Sequence, residues 1–230
     1  MNDLLNTVHI KVNEGIYLKD PDSSELGKKI VSEGLLLIDE IGLEKTTFKK
    51  LAQRLGTTEA SIYRYFESKF KLLVYLTSWY WGWLEYQLVF SITNITDPEK
   101  KLRIAVDVLS QLNEKKESGS HINLLVLTRV VVSESSKAYL TKDVDEANKE
   151  GFYAGYKRVV QRISNVMLEI DPSFRFSHTL SSTIMEGIHH QKYFAQHLPS
   201  LTDITDKPSE MSEFYATMVL ATLKSDQLND

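Results

Sequence analysis

Segment 46–72 constrains the fold of this chain most strongly, because it encodes two short helices with a glycine between them. Its sequence is TTFKKLAQRLGTTEASIYRYFESKFKL. Apolar residues recur at the i, i+3, i+4 and i+7 spacing of one helix face: Phe48, Leu51, Ala52 and Leu55. Thr46 or Thr47 stands at the N-cap position, and Gly56 ends the helix, because glycine readily adopts the left-handed conformation that follows a helix C-terminus. The segment therefore begins with an amphipathic helix of two turns.

A second short helix follows the glycine. Thr57 or Thr58 caps it, and Glu59 in its first turn suits the positive end of the helix dipole. Ile62 and Phe66 form an inner face, which leaves four residues outside: Thr58, Glu59, Ala60 and Tyr63. Two helices joined by a short, glycine-containing turn form a helix-turn-helix, whose second helix enters the major groove of DNA. Helical proteins that never bind DNA contain the same spacing. The flanking sequence is therefore needed to distinguish a DNA-binding motif from an ordinary pair of helices.

The flanks extend the pattern in both directions. Upstream, one apolar helix face ends at Gly42 and consists of Ile30, Gly34, Leu37, Ile38 and Ile41. Downstream, residues 62–69 read I-Y-R-Y-F-E-S-K. The run from Ile30 to Leu73 resembles the DNA-binding domain of the TetR family of transcriptional regulators, and I-Y-x-Y-F-x-S-K is its specific part. The resemblance covers residues 30–73 of a chain of 230.

The resemblance implies two sets of DNA contacts. Five positions match places that contact the DNA backbone: Thr47, Ser61, Tyr63, Tyr65 and Lys69. Three positions match places that face the groove: Thr58, Glu59 and Ala60. Arg64 departs from the aromatic or polar residue often found at its position, and it adds either a phosphate contact or a base contact. Glu59 either accepts a hydrogen bond from a cytosine amino group or only caps its helix.

Composition narrows the class of protein. Five Pro and ten Gly in 230 residues favour helices with short connections, and the absence of Cys excludes disulfides, thiolate catalysis and Cys-ligated metal sites. No apolar run reaches the roughly 18–20 residues of a transmembrane helix, and the N-terminus lacks the basic-then-apolar order of a signal peptide. We therefore expect a soluble cytoplasmic protein without membrane contact.

The net charge of −4 is unevenly distributed. Residues 24–72 contain nine Lys and Arg against seven Asp and Glu, a net charge of +2, whereas the remainder of the chain is acidic. A modestly positive domain on an acidic body is consistent with DNA binding through one end, although +2 provides little electrostatic attraction.

The periodicity predicts an all-α protein of about nine helices in three parts: an N-terminal arm (residues 1–22), a helix-turn-helix DNA-binding domain (23–72) and a helical effector-binding and dimerisation domain (73–230). The arm is either a strand-like segment packed on the body or a disordered leader, and its apolar residues favour partial order. Outside the helix-turn-helix, we expect helices over about 23–41, 68–90, 97–116, 122–132, 142–170, 173–198 and 208–224.

The last two long helices are the expected dimer interface. Helix-turn-helix proteins bind two half-sites about one helical turn (~34–36 Å) or more apart as dimers. The resemblance implies a homodimer through these two helices. The alternative is that they pack only within a monomer.

An effector pocket is a further expectation from the resemblance. The predicted helix 68–90 carries aromatic residues on one face: Trp79, Trp83, Tyr86 and Phe90. This face is either a wall of a small-molecule pocket or ordinary core. Polar candidates for contact with an unknown effector are His121, Asn123, Arg129, Tyr153 and Tyr156. No cofactor is predicted.

An enzymatic function has one sequence feature in its favour. Glu186 and His189 have the Glu-x-x-His spacing of di-iron helical bundles, but those bundles need a second pair, and no other His follows a Glu at this distance. We therefore predict no catalytic residues and no metal. The favoured hypothesis is a dimeric repressor that a small-molecule effector releases from double-stranded operator DNA. The alternatives are a helical ligand-binding protein without specific DNA recognition and, third, a metal-dependent helical-bundle enzyme.

Overall fold

A computed structural model describes residues 10–111, 121–205 and 207–226 of the chain. These residues contain eleven α-helices and no strand. Their bounds are α1 Glu25–Lys45, α2 Phe48–Leu55, α3 Glu59–Tyr63, α4 Lys69–Ile92, α5 Pro98–Ser110, α6 Leu124–Glu134, α7 Ser136–Tyr139, α8 Val144–Lys149, α9 Ala154–Ile170, α10 Ser177–His197 and α11 Pro208–Asp226. Short 3₁₀ turns occupy Glu14–Ile16, Pro21–Ser23 and Pro199–Leu201. The all-α prediction is confirmed. None of these helices is both long and apolar enough to cross a bilayer.

The helices belong to two compact units. The first lies within Met1–Gly82 and Asn113–Ala154, and the second within Trp83–Leu112 and Gly155–Asp230. The division falls within α4, directly after Gly82. Each unit has its own buried apolar core.

In the first unit, α1 to α4 pack around fully buried aliphatic side chains, among them Leu35, Leu51 and Leu72. Gly34 allows α1 and α4 to approach closely, since a Cβ atom at this position would lie 2.7 Å from Cδ2 of Leu72. The apolar positions of the sequence pattern therefore face this core. They fix the orientation of the two helices of the helix-turn-helix.

Two glycines interrupt helices in the first unit. Gly42 has φ 76° and ψ 159°, which confirms the predicted end of the first regular helix, and a further short turn continues to Lys45. Gly151 has φ 81°, a left-handed conformation that separates α8 from α9. The single helix predicted over 142–170 is therefore wrong. This break and the short helix α7 account for eleven helices where about nine were expected.

The N-terminal arm is attached to the first unit from Ile10 onwards. Ile10, Val12 and Ile16 are buried, which agrees with the predicted partial order. The backbone N–H of Leu18 donates to the carbonyl of Tyr65 at 2.8 Å, and this bond joins the arm to the end of the helix-turn-helix.

The second unit is built from the end of α4 together with α5, α9, α10 and α11. Glu85 on α4 accepts hydrogen bonds from Arg158 (2.7 Å) and Arg162 (2.8 Å) on α9. Gly187 lets α10 approach α11, because a Cβ atom there would lie 2.5 Å from the hydroxyl of Tyr215. The helix predicted over 97–116 ends at Ser110, and the rest of that prediction falls outside the described residues.

Candidate nucleic-acid interface

The helix-turn-helix consists of α2 and α3, and each begins with a threonine cap. Oγ1 of Thr47 accepts the backbone N–H of Lys50 at 3.2 Å, and Oγ1 of Thr58 accepts that of Ser61 at 3.3 Å. Gly56 ends α2 in the left-handed conformation, with φ 63° and ψ 34°. The local predictions for these caps are confirmed, and Thr47 and Thr58 are the capping residues.

The outer face of α3 is open to solvent. Its exposed residues are Thr58, Glu59, Ala60, Tyr63 and Arg64. Ile62 is fully buried on the opposite face. The ring of Tyr63 is 49% exposed and packs edge-on against Phe48 with centroids 5.0 Å apart, so its hydroxyl end extends from a supported ring. Across residues 58–64, this face offers a guanidinium, a phenol, a carboxylate and a threonine hydroxyl.

Thr47 and Ser61 flank this face. Thr47 is exposed at the start of α2. Ser61 is half-buried, and its Oγ lies 3.0 Å from Oγ1 of Thr58. Both hydroxyls therefore stand beside helix N-termini, where backbone N–H groups favour an anion such as a phosphate.

Tyr65 requires a correction, because the structure buries it. Only 4% of the residue is exposed, and its hydroxyl lies 2.8 Å from Oγ of Ser24. The Nζ atom of Lys19 lies 5.2 Å from its ring centroid. Tyr65 thus joins the arm to the DNA-binding domain, and it does not reach the outer surface where a DNA backbone contact would be made.

Lys69, for which the resemblance implies a phosphate contact, makes two hydrogen bonds within the protein. Its Nζ donates to the carbonyl of Leu43 at 2.9 Å and to that of Glu44 at 2.8 Å. These carbonyls lie at the C-terminal end of α1, where a cation is favourable. Lys69 therefore ties the start of α4 to the end of α1.

Arg54 links α2 to α1, a contact that sequence reasoning missed. From α2 it donates to Glu33 at 2.5 Å and to Glu40 at 2.6 Å, both on α1. The hydrogen bonds to Glu40 and Glu33 raise the pKa of Arg54 and lower that of Glu40. No sequence signal pairs these residues, because the contact depends on how α2 crosses α1.

Helix α6 is tied to α1 by a carboxylate and a guanidinium. The break at Gly42 leaves the N–H of Leu43 outside the regular helical ladder, and Oε1 of Glu134 accepts it at 3.2 Å. Arg129 donates to both carboxylate oxygens of Asp39, at 3.0 and 2.6 Å. Arg129, an expected effector contact, thus has its guanidinium engaged by Asp39 of α1 in this structure.

Other effector candidates in the first unit also have structural roles. Oδ1 of Asn123 caps α6 by accepting the N–H groups of Leu125 and Val126. The hydroxyl of Tyr153 donates to the carbonyl of Ala138 at 2.8 Å. Nε2 of His121 lies 3.4 Å from Oδ1 of Asp22. Trp79 is buried in the core of this unit.

The remaining candidates lie in the second unit. Trp83 is 4% exposed, and its Nε1 has no hydrogen-bond partner among the described residues. Tyr86 is half-buried, whereas Phe90 is 70% exposed, so the prediction that Phe90 points into the body is wrong. Phe90 lies near the end of α4, where the helix leaves the core. The hydroxyl of Tyr156 donates to Oε1 of Glu186 at 2.7 Å.

The Glu-x-x-His pair does not form a metal centre. Glu186 accepts the bond from Tyr156, while His189 is buried, and its burial lowers its pKa to about 3. Nowhere in the described part of the chain do three or more His, Asp or Glu side chains come together in a way that could hold a metal ion.

Comparison with known proteins agrees with this geometry. Residues 30–76 match the family model for bacterial regulatory proteins of the tetR family. No curated protein sequence matches the chain significantly.

Several solved structures share the fold. The fatty acid degradation regulator FadR from Bacillus halodurans is 18% identical with a TM-score of 0.58, and the alignment covers 82% of this chain and 93% of that one. AibR in complex with isovaleryl coenzyme A and operator DNA is 15% identical with a TM-score of 0.58, covering 82% and 95%. A TetR-family transcriptional regulator from Bordetella parapertussis 12822 is 12% identical with a TM-score of 0.59, covering 86% and 95%.

At these identities the structural likeness shows the fold, and the family assignment rests on residues 30–76. These residues contain the capped helices α2 and α3 and the exposed face described above. Proteins of this family are transcription factors and not enzymes. The comparisons therefore show that residues 30–76 match the tetR family of bacterial regulatory proteins, and that most of the chain shares its fold with solved regulators such as FadR.

Proposed function

We propose that the protein is a dimeric repressor that binds operator DNA through α3 and leaves it when a small molecule binds the helical body. The observation that carries this proposal is the exposed outer face of α3, on a helix whose inner face is fixed in the core by Ile62. AibR, a protein of the same fold, has been solved with both isovaleryl coenzyme A and operator DNA. Binding of operator DNA places its action in the cytoplasm in this proposal.

The proposed DNA contacts follow from exposure. Thr58, Glu59 and Ala60 face base edges in the major groove, and Tyr63 reaches both bases and backbone. Thr47 and Ser61 contact phosphates with their hydroxyls and with the helix N-termini beside them. Arg64 contacts a phosphate or a guanine, the two acceptors that suit a guanidinium.

Dimerisation is proposed through α10 and α11. A line of exposed residues follows one face of α10 at spacings of four, seven, three and four: Thr179, Thr183, His190, Tyr193 and His197. On α11, Phe214 is 53% exposed. Exposed aromatic side chains are typical of the core of a protein interface. We expect sedimentation velocity to show a dimer that Phe214→Glu converts to monomer. An unchanged sedimentation coefficient would remove this face from the interface.

The effector site is proposed near the aromatic part of α4 in the second unit. The buried indole N–H of Trp83 has no hydrogen-bond partner among the described residues, and such a group is costly unless a bound molecule or water accepts it. Trp83→Phe keeps an aromatic ring and removes this donor. We expect the variant to bind operator normally and to need a higher effector concentration for release.

The test of DNA recognition is a fluorescence anisotropy titration with the DNA that flanks the gene for this protein, at two salt concentrations and against a scrambled sequence. Arg64→Ala should weaken binding by about 1–3 kcal/mol, or reduce the slope of log affinity against log salt by about 1 if the contact is to a phosphate. Arg103→Ala is the matched control, because Arg103 is also exposed but lies on α5 in the second unit. Equal affinity for scrambled DNA would refute specific recognition.

A further inference from the structure

A cleft lies between the N-terminal arm and α4, within the first unit. Its volume is about 260 Å³. Its walls are formed by Ile10, Lys11, Val12, Glu14, Tyr17, Asp20, Asp22 and Tyr75. The DNA contacts proposed above do not use this cleft, and it lies outside the second unit, which contains Trp83.

The cleft is negatively charged. Three carboxylates line it against one ammonium, and that ammonium, on Lys11, is exposed and lies 3.8 Å from Glu14. This leaves Asp20 and Asp22 to set the charge of the interior. Oδ1 of Asp20 accepts the N–H of Asp22 at 2.9 Å, which holds the two carboxylates in one short turn. Oδ1 of Asp22 is buried and accepts no hydrogen bond from the described residues, although the imidazole of His121 lies 3.4 Å away.

Tyr75 supplies a second, independent sign of a binding site. The residue is only 2% exposed, yet it lines the cleft. Its ring packs edge-on against Tyr17, with centroids 6.2 Å apart, and against Phe66 at 5.5 Å. Burial and then the charges of Asp22 and Asp20 raise the pKa of Tyr75, so the phenol remains a neutral donor and acceptor.

Together these groups select the class of ligand. Aromatic walls beside carboxylates suit an organic cation, since tyrosine rings attract ammonium groups and carboxylates neutralise them. The carboxylates are not clustered for a metal ion, because no group of three possible ligands converges in the described residues. A volume of about 260 Å³ is below the range of roughly 300–1,000 Å³ typical of drug-sized ligands. We propose that this cleft binds a small organic ammonium compound, with Asp20 and Asp22 as counter-charges and Tyr17 and Tyr75 as walls.

The position of the cleft connects such a ligand to the DNA-binding domain. The turn Pro21–Ser23 directly precedes α1, and Gly27 of α1 packs on it so closely that a Cβ atom would lie 2.2 Å from the carbonyl of Pro21. Tyr65 forms hydrogen bonds with the hydroxyl of Ser24 and with the backbone N–H of Leu18. A bound cation therefore strengthens the attachment of the arm to α1 and α4. The proposal goes beyond effector-controlled repression and does not depend on it.

Isothermal titration calorimetry on the full chain tests the proposal directly. The probes are tetramethylammonium, butylamine and 1,4-diaminobutane, with neutral 1-butanol and MgCl₂ as comparisons, at constant ionic strength. We expect at least one ammonium compound to bind with 1:1 stoichiometry per chain and at least tenfold more tightly than 1-butanol. No ammonium binding, or Mg²⁺ binding in its place, would overturn the proposal.

Variants locate the site. Asp22→Asn should weaken ammonium binding at least tenfold, and Tyr75→Phe, which keeps the ring packing, should weaken it several-fold. Asp145→Asn is the matched control, an exposed carboxylate of the same unit that does not line the cleft. Far-ultraviolet circular dichroism and thermal unfolding establish that each variant is folded. If Asp22→Asn is unfolded, the ammonium affinity of Tyr75→Phe alone tests whether the cation binds in the cleft. Undiminished affinity in a folded Asp22→Asn or Tyr75→Phe variant would show that the cation binds elsewhere.

Discussion

Replacing Lys69 by Met separates two roles for this residue. The substitution keeps an unbranched side chain of similar length and removes the ammonium that donates to Leu43 and Glu44. A hydrogen bond from a charged group contributes about 1.5–3 kcal/mol when it is shielded from water. Lys69 is half-buried, and water can solvate the freed carbonyls, so we assign about 1 kcal/mol to each bond after solvent screening. The expected loss of stability is about 2 kcal/mol.

Urea unfolding of the full chain measures this loss. Lys100→Met, a change at an exposed lysine of α5, should alter stability by less than about 0.5 kcal/mol. The second measurement is the salt dependence of DNA binding, whose slope falls by about 0.9 for each phosphate that the protein no longer neutralises. We expect Lys69→Met to leave this slope unchanged. Unchanged stability together with a slope reduced by about 1 would refute the positioning role and restore the phosphate contact.

Three further predictions concern stability and recognition. Burial lowers the pKa of His189 from 6.5 to about 3, so the unfolded chain binds a proton below pH 6.5 that the folded chain does not. Between pH 7.5 and 5, wild type should therefore lose about 2 kcal/mol more stability than His189→Gln in urea unfolding, whereas the exposed His190→Gln should follow wild type. Gly42→Ala should cost about 1–3 kcal/mol and more than Gly56→Ala, because Gly42 occupies a region accessible almost only to glycine and a Cβ atom at Gly56 meets nothing within 4 Å. Differential scanning calorimetry ranks the two, and the reverse order would contradict the strain at Gly42. Tyr63→Phe keeps the packing on Phe48 and should weaken operator binding in gel-shift titrations without changing stability, and unaltered affinity would exclude a hydroxyl contact.

Much of the DNA-binding domain was predictable because its determinants are local. A threonine cap, a glycine with positive φ and an apolar spacing are set within a few residues, and Thr47, Gly56 and Ile62 adopt the positions that the sequence predicts. The same local reasoning failed at Gly151, where the sequence contains the necessary glycine but the helical pattern on both sides suggested continuity.

Partner choice was not predictable, because it depends on tertiary arrangement. Tyr65 and Lys69 occupy motif positions, yet one is buried against Ser24 and the other binds carbonyls of α1. Arg129 is 90 residues away in sequence from Asp39, and Arg54 is 21 from Glu33. In these cases the side chain's chemistry was evident from the sequence, whereas the group that it contacts was determined by how helices cross.

The effector candidates show the same limitation. Trp79, Trp83, Tyr86 and Phe90 share one face of an ideal helix, but Phe90 is exposed near the end of α4. Periodicity assigns a face to a residue, and the depth of that face in the core changes along a long helix. The cleft beside Tyr75 was missed for a related reason. Its carboxylates come from the arm, whereas Tyr75 comes from α4, and sequence periodicity does not show that these segments meet.

Footprinting of the protein on the DNA that flanks its gene tests the central claim, recognition of an operator through α3, most directly. Hydroxyl-radical cleavage should show two protected half-sites with centres about one helical turn (~34–36 Å) or more apart. Arg64→Ala should lose this protection at protein concentrations where Arg103→Ala retains it. Uniform protection along the DNA, or protection by Arg64→Ala equal to that by wild type, would contradict operator recognition through α3.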